Sequence, residues 1–212
     1  MFTIYNEKKR VISATDSVMD YLQTEIFIKE KLRKELPRNL FYHGYEHTLD
    51  VLEATERISQ EENIEHEDLL LLKTAALFHD SGFLHGYAEH EKAGCKIACE
   101  TLPGYDYTHE EIEIICGMIM ATKIPQNPQT HLEEILCDAD LDYLGRNDFE
   151  PIAESLFQEL IGQNIVNNEK EWNRIQENFL SNHHYFTVYS KINREAEKQK
   201  QLQRIKSIVA NY

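Results

Sequence analysis

The sequence is short of the residues that punctuate sheets. It has 8 glycines and 5 prolines in 212 residues, too few for the many tight turns of a strand-rich fold. It also lacks any run near the roughly 20 apolar residues that cross a bilayer. Its start, MFTIYNEKKR, carries no apolar signal core after the charges, so a cytoplasmic protein is expected. Cysteine is scarce: Cys95, Cys99, Cys116 and Cys137 sit in apolar helical patterns without the paired spacing of a zinc knuckle, and reduced core thiols are expected. Cations are in deficit as well. With 22 Lys and Arg against 37 Asp and Glu, the net charge of −15 opposes broad binding to extended nucleic acid or an anionic membrane, while leaving room for a small anionic substrate.

What remains is helical material, 42% hydrophobic and long enough for a substantial core. After Thr15-Asp16, the residues Val18, Leu22, Ile26, Leu32 and Leu36 recur at near-helical spacing until Pro37, which predicts a first helix. Further helices are predicted over about 46–62 and 67–80, the latter leucine- and alanine-rich all round and therefore central. Another should span about 88–102, ended by Pro103-Gly104. Two capping boxes, Thr108…Glu111 and Thr130…Glu133, open the next helices: one ends near Thr122, and the other runs through "LEEILCDADLDYL". Later helices are predicted over roughly 149–160, 169–180 and 188–209. No repeat or linker interrupts them. The expected organisation is one all-α domain over 1–212, with a motif core at about 40–145, an N-terminal helix and a C-terminal helical extension.

Within "AALFHDSGF", His79 stands directly beside Asp80 at the end of an apolar run. Adjacent helical residues diverge by about 100°, so the two cannot share an ordinary core stripe. At a helix end both can lean toward one point, with Ser81-Gly82 letting the chain turn away. A cation there would satisfy an imidazole and a carboxylate together, given further ligands from elsewhere. Upstream, "YHGYEHTLDVL" offers His43 and His47, four residues apart. Downstream, "ILCDADLDYLG" offers Asp138, Asp140 and Asp142, of which Asp140 has the most apolar sequence neighbours, Ala139 and Leu141. A carboxylate in such a setting is costly unless paired or metal-bound.

Taken together, "YHGYEHTLDVL", "LLKTAALFHDSGF", "IMATKIP" and "CDADLDYLG" resemble, in order and spacing, the motifs of the HD superfamily of metal-dependent phosphohydrolases. The resemblance implies a helical bundle around a buried divalent ion (Mn, Fe, Co, Zn or Mg) with His47, His79, Asp80 and Asp140 as ligands. The first motif is most similar to that of HD-type cyclic-nucleotide phosphodiesterases. This similarity implies that His43 is a general acid beside the metal-ligating Asp80, and that the reaction is hydrolysis of a small phosphoester, a nucleotide or cyclic nucleotide. Gly44 departs from that pattern by replacing an Asn. His90 matches a histidine that two-metal members use for a second ion, whereas Thr122 stands where such members supply another histidine. His85 and Lys123 are further candidates for a second ion or for substrate phosphate. The alternatives are a di-iron oxygenase, which expects more histidines, and a metal or nucleotide binder without turnover.

Overall fold

A computed structural model describes residues 19–212, and among them there are ten α-helices and no strand. The Thr15-Asp16 start expected for the first helix, and Val18, lie outside the described residues. Helix α1 spans Tyr21–Glu35, with Asp20 capping it by accepting the Gln23 N–H at 3.1 Å. There follow α2 (Tyr45–Glu61), α3 (His66–Phe78), α4 (His90–Thr101), α5 (His109–Ala121) and α6 (His131–Asp140). The remaining helices are α7 (Phe149–Gly162), α8 (Glu169–Asn182), α9 (Val188–Asn193) and α10 (Glu195–Val209). Short 3-10 turns at Ser81–Leu84, Leu102–Tyr105 and Asp142–Gly145 join some of them.

The helix with apolar residues on every side is the central one. Leu72, Ala75, Ala76, Leu77 and Phe78 of α3 are fully buried, because α1, α2, α4, α5 and α6 pack around it. Ile28, Leu32, Ile58, Ile115, Met118 and Leu136 complete this core; each such side chain contributes about 1.5–3 kcal/mol by leaving water. A second apolar cluster joins Tyr42 and Tyr143 to Phe149 of α7, Trp172 and Leu180 of α8, and Leu202 and Ile205 of α10. A cavity opens beside this second cluster, lined by Tyr42, Tyr143, Phe149, Trp172 and Leu180.

One local expectation holds in full and several change. The capping box at Thr108 is reciprocal: Thr108 N–H donates to Glu111 Oε2 at 2.7 Å and Glu111 N–H to Thr108 Oγ1 at 3.2 Å. The one at Thr130 is half-formed, since Glu133 N–H reaches Thr130 Oγ1 at 3.3 Å but the Glu133 carboxylate accepts Gln129 N–H instead, at 2.5 Å. The single helix expected over 188–209 is broken at Arg194, which leaves helical geometry at φ −120° and ψ −32°. Two contacts hold the break. Arg194 Nε donates to Asp142 at 2.7 Å, and the Arg194 backbone rests so closely on Gly145 that a Cβ there would sit 2.4 Å from the Arg194 carbonyl oxygen. Helix α4 starts at His90 rather than 88, because Glu89 turns left-handed at φ 52°. Gly82 proves necessary for close approach: a Cβ on it would lie 1.8 Å from the His90 carbonyl oxygen. The chain turns away later, at Gly86 with φ +141°. The cysteines are not all core thiols. Cys137 is buried, Cys95 and Cys116 are half-buried, and Cys99 is exposed, because the seam between α4 and α5 that carries the last three opens to the surface.

Candidate metal centre

Four side chains from three segments converge where α3 ends. Helix α3 stops at Phe78, so His79, still right-handed, and Asp80, at φ −102° and ψ 5°, project past its last turn. His47 arrives from the first turn of α2 and Asp140 from the last residue of α6. His79 Nε2 lies 3.2 Å from Asp80 Oδ2, 3.4 Å from His47 Nε2 and 3.6 Å from Asp140 Oδ1. His47 Nε2 lies 3.2 Å from Asp140 Oδ1 and 3.5 Å from Asp80 Oδ2.

These spacings fit a shared cation. Metal to N or O bonds of about 2.0–2.2 Å hold neighbouring donors roughly 3 to 3.5 Å apart. The chemistry of the donors fits a cation as well. Asp80 Oδ2 is buried without a hydrogen-bond partner, a state that is costly unless a cation compensates it. His79 Nδ1–H donates to the Ala76 carbonyl at 2.8 Å, which fixes the tautomer and leaves the Nε2 lone pair facing the cluster. His47, His79 and Asp80 form a compact buried group that could hold a metal ion, and Asp140 borders it.

The electrostatics are those of an acid–base cluster. Burial alone would raise the Asp80 carboxyl, but His79 chiefly, with His43 and His47, holds it well below the ordinary carboxylate range. Burial likewise opposes ionisation of Asp140, yet hydrogen bonds to His47 and His79 keep it down at about 2. Burial works against protonation of His79, and the two carboxylates overcome it and lift its pKa well above the ordinary value. A divalent ion therefore competes with a proton on His79 for the same carboxylates, so metal uptake releases protons and weakens as pH falls.

His43 stands beside this cluster, held by a residue that the sequence reading did not single out. Glu159, fully buried on α7, accepts His43 Nδ1–H at 2.5 Å, Tyr42 N–H at 2.8 Å, His43 N–H at 3.1 Å and Tyr87 O–H at 2.7 Å. Burial pushes the Glu159 pKa up, and His43 together with the other donors pulls it below its ordinary value. A signal was available: Glu159 follows Leu156 by three and Ile152 by seven, a carboxylate in register with an apolar stripe. The His43 ring stacks on Phe83 at 4.5 Å between centroids, and Phe83 stacks on His90 at 4.2 Å.

The remaining candidates divide. His90 Nε2 is 3.6 Å from Asp80 Oδ1 and 3.6 Å from Glu91 Oε1, so Asp80 turns one oxygen toward His47 and His79 and the other toward His90. Glu91, buried, is a second residue that the sequence reading passed over. Thr122 is buried at the cavity wall, but its hydroxyl donates to the Ile119 carbonyl at 2.8 Å. His85 and Lys123 fall outside the site. His85 is exposed, carried outward just before the turn at Gly86. Lys123 is exposed past the end of α5 and pairs with Glu89 at 3.3 Å.

The three aspartates of "CDADLD" have separate tasks. Asp138, 0% exposed, accepts the N–H groups of Phe186 and Thr187 at 2.9 and 2.8 Å and the Thr187 hydroxyl at 2.7 Å. Asp142, 1% exposed, pairs with Arg57 at 2.6 Å and Arg194 at 2.7 Å. Asp140, whose side chain is 15% exposed, faces the histidines. Burial alone would have pointed to either neighbour; the residue at the candidate centre is the one left without a backbone or arginine partner.

Asp80, Asp140, His43 and His90 line one cavity of about 520 Å³, which extends past Tyr42 and Tyr143 toward α7 and α8. The fold is thus an all-helical bundle whose helix ends bring together two histidines and two aspartates that could hold a metal ion, with the two aspartates facing the cavity. Residues 44–142 match the family model of the HD domain. A crystal structure of a predicted HD superfamily hydrolase from an uncultured Thermotogales bacterium has the same fold: TM-score 0.57 at 19% identity, covering 90% of this chain and 92% of that one. An uncharacterised protein of Clostridium beijerinckii is 34% identical over 92 residues, 42% of this chain and 58% of that protein's length. Among the described residues no helix is long and apolar enough to cross a membrane.

Proposed function

We propose that the protein is a metal-dependent phosphohydrolase acting on a small phosphoester, with nucleotides and cyclic nucleotides as the candidates that the first motif favours. The observation carrying this reading is that His47, His79, Asp80 and Asp140 meet at 3.2–3.6 Å, with Asp80 and Asp140 on the wall of the cavity that His43 also lines. The four would hold a divalent ion; their mixed nitrogen and carboxylate donors suit Mn, Fe, Co or Zn, and Mg less well. A bound ion of this kind supplies Lewis acidity toward a phosphoryl oxygen and makes water a stronger acid. His90, beside the far oxygen of Asp80, and Glu91, beside His90, are the candidate ligands for a second ion.

The protein's own part in the reaction is orientation and proton transfer. With Nδ1–H committed to Glu159, His43 has Nε2 left to donate a proton to the departing oxygen, and the Glu159 carboxylate faces the ring charge that this donation requires. Phe83, packed between the His43 and His90 rings, keeps both fixed and shields them from water. A cyclic phosphodiester needs such a donor for its ribose oxygen. The net charge of −15 supports a small substrate over an extended nucleic acid.

The test is product release from cyclic nucleotides, nucleoside monophosphates and nucleoside triphosphates, with each metal in turn and Asp80→Ala as the blank. Turnover above the blank, dependent on added metal, is expected. Metal-loaded protein that releases nothing above the blank from any of these or from simple phosphomonoesters would sink the hydrolase reading.

A further inference from the structure

The cavity that holds the candidate metal centre continues into an arm with a different chemistry. Beyond Tyr143 its walls are Leu156 and Leu160 of α7 and Trp172, Phe179 and Leu180 of α8. The polar side chain in this arm, Gln176, has its amide N–H turned onto Asn173 at 3.1 Å. Among the described residues lining the cavity there is no lysine or arginine, whereas Asp80, Glu91 and Asp140 all contribute carboxylates. Ile124, Ile165 and Ile175, respectively 52%, 48% and 41% exposed, border the same opening. Exposed apolar residues scattered singly need no explanation. Three that line one cavity with an apolar arm give it an exposed apolar border suited to a hydrocarbon.

The geometry points to a phosphoester of an apolar alcohol as the substrate, with its alkyl or aryl group seated in the arm between α7 and α8 and its one phosphoryl group at the candidate metal centre. This rests on the phosphohydrolase reading above, keeps its small phosphoester and puts an apolar alcohol in place of the nucleoside. A polyphosphate chain would bring several negative charges to a wall with three carboxylates and no fixed cation beyond the ion itself. A single phosphoryl group needs only that ion and His43. The arm then supplies binding energy through burial, in a cavity whose size falls in the usual range for small ligands, about 300–1,000 Å³.

The test titrates methyl-, butyl- and octylphosphonate, which resist hydrolysis, into the Mn-loaded full-length protein by calorimetry. Affinity is expected to rise about two- to fourfold per methylene, so octylphosphonate should bind at least about 100-fold more tightly than methylphosphonate. Ala153→Trp, which fills the arm from α7, should collapse that ratio. Equal affinity along the series overturns the proposal, as does tighter binding of a nucleoside triphosphate than of octylphosphonate. A flat series together with a concentration-dependent dimer in light scattering also overturns it, and assigns the isoleucine rim to a second copy of the chain. Turnover of octyl phosphate against the Asp80→Ala blank is measured separately. A flat series with metal-dependent turnover of short phosphoesters removes the apolar substrate and leaves the hydrolase; a steep series without any turnover removes the hydrolase.

Discussion

Glu159 and His43, 116 residues apart in the chain, meet at 2.5 Å through the His43 ring nitrogen Nδ1. The same carboxylate also accepts the backbone N–H groups of Tyr42 and His43. It therefore holds the loop before α2 as well as the imidazole. Glu159→Gln keeps the shape and loses the charge. It is expected to keep metal content and KM near wild type, to lower kcat by about 10²-fold as expected for impaired general-acid chemistry, and to displace the pH profile of kcat. Elemental analysis with steady-state kinetics checks this. An unchanged pH profile would leave Glu159 a purely structural residue.

The two histidines of the first motif should separate by role. His47→Ala and Asp140→Ala each remove a donor from the cluster, and both are expected to lower bound metal sharply while far-ultraviolet circular dichroism stays helical. His43→Ala should retain the metal and lose turnover by about 10²-fold or more. Equal metal loss in all three variants would make His43 a ligand or its direct support.

Asp142 ties three segments together through Arg57 on α2 and Arg194 at the break before α10. Removing one partner of a buried pair leaves the other charges uncompensated, at about 3–5 kcal/mol; the partial exposure of both arginines places the expected loss for Asp142→Ala at or below the lower end of that range. Urea unfolding measures it. A loss below about 0.5 kcal/mol, the ordinary effect of a surface substitution, would show that the C-terminal helices are held by apolar packing alone.

His183 should shape the acid limb of stability. Burial first, and then the Lys198 ammonium beside it, push its pKa down from 6.5 to about 3. The folded state thus binds fewer protons than the unfolded chain throughout that interval. The group's contribution is full above pH 6.5 and is lost as pH falls toward 3. His183→Gln should flatten the decline in melting temperature between pH 6.5 and pH 4 relative to wild type. Parallel curves for the two proteins would contradict the shift.

Features set by neighbours in the chain were readable from the sequence. Few glycines and prolines and a 3.6-residue period predict helices, because each backbone bond closes within four residues. The reciprocal box of Thr108 and Glu111 is local for the same reason. So is the placement of His79 and Asp80 at a helix end, where adjacent side chains can converge. Features that depend on packing across the fold were not readable. Nothing near residue 159 in sequence reveals that Tyr42, His43 and Tyr87 will surround its carboxylate. Apolar sequence neighbours singled out Asp140, but the tasks of Asp138 and Asp142 follow from the segments around Phe186 and Arg194 that reach them. The break at Arg194 arises because Gly145 admits that backbone at contact distance, and the exclusion of His85 and Lys123 follows from turns that aim them into solvent. The chain alone determined most of the helices and offered the candidate ligands His47, His79, Asp80 and Asp140. Tertiary packing decided which residues face one another, since burial and partnership are properties of the assembled surface and not of any one segment.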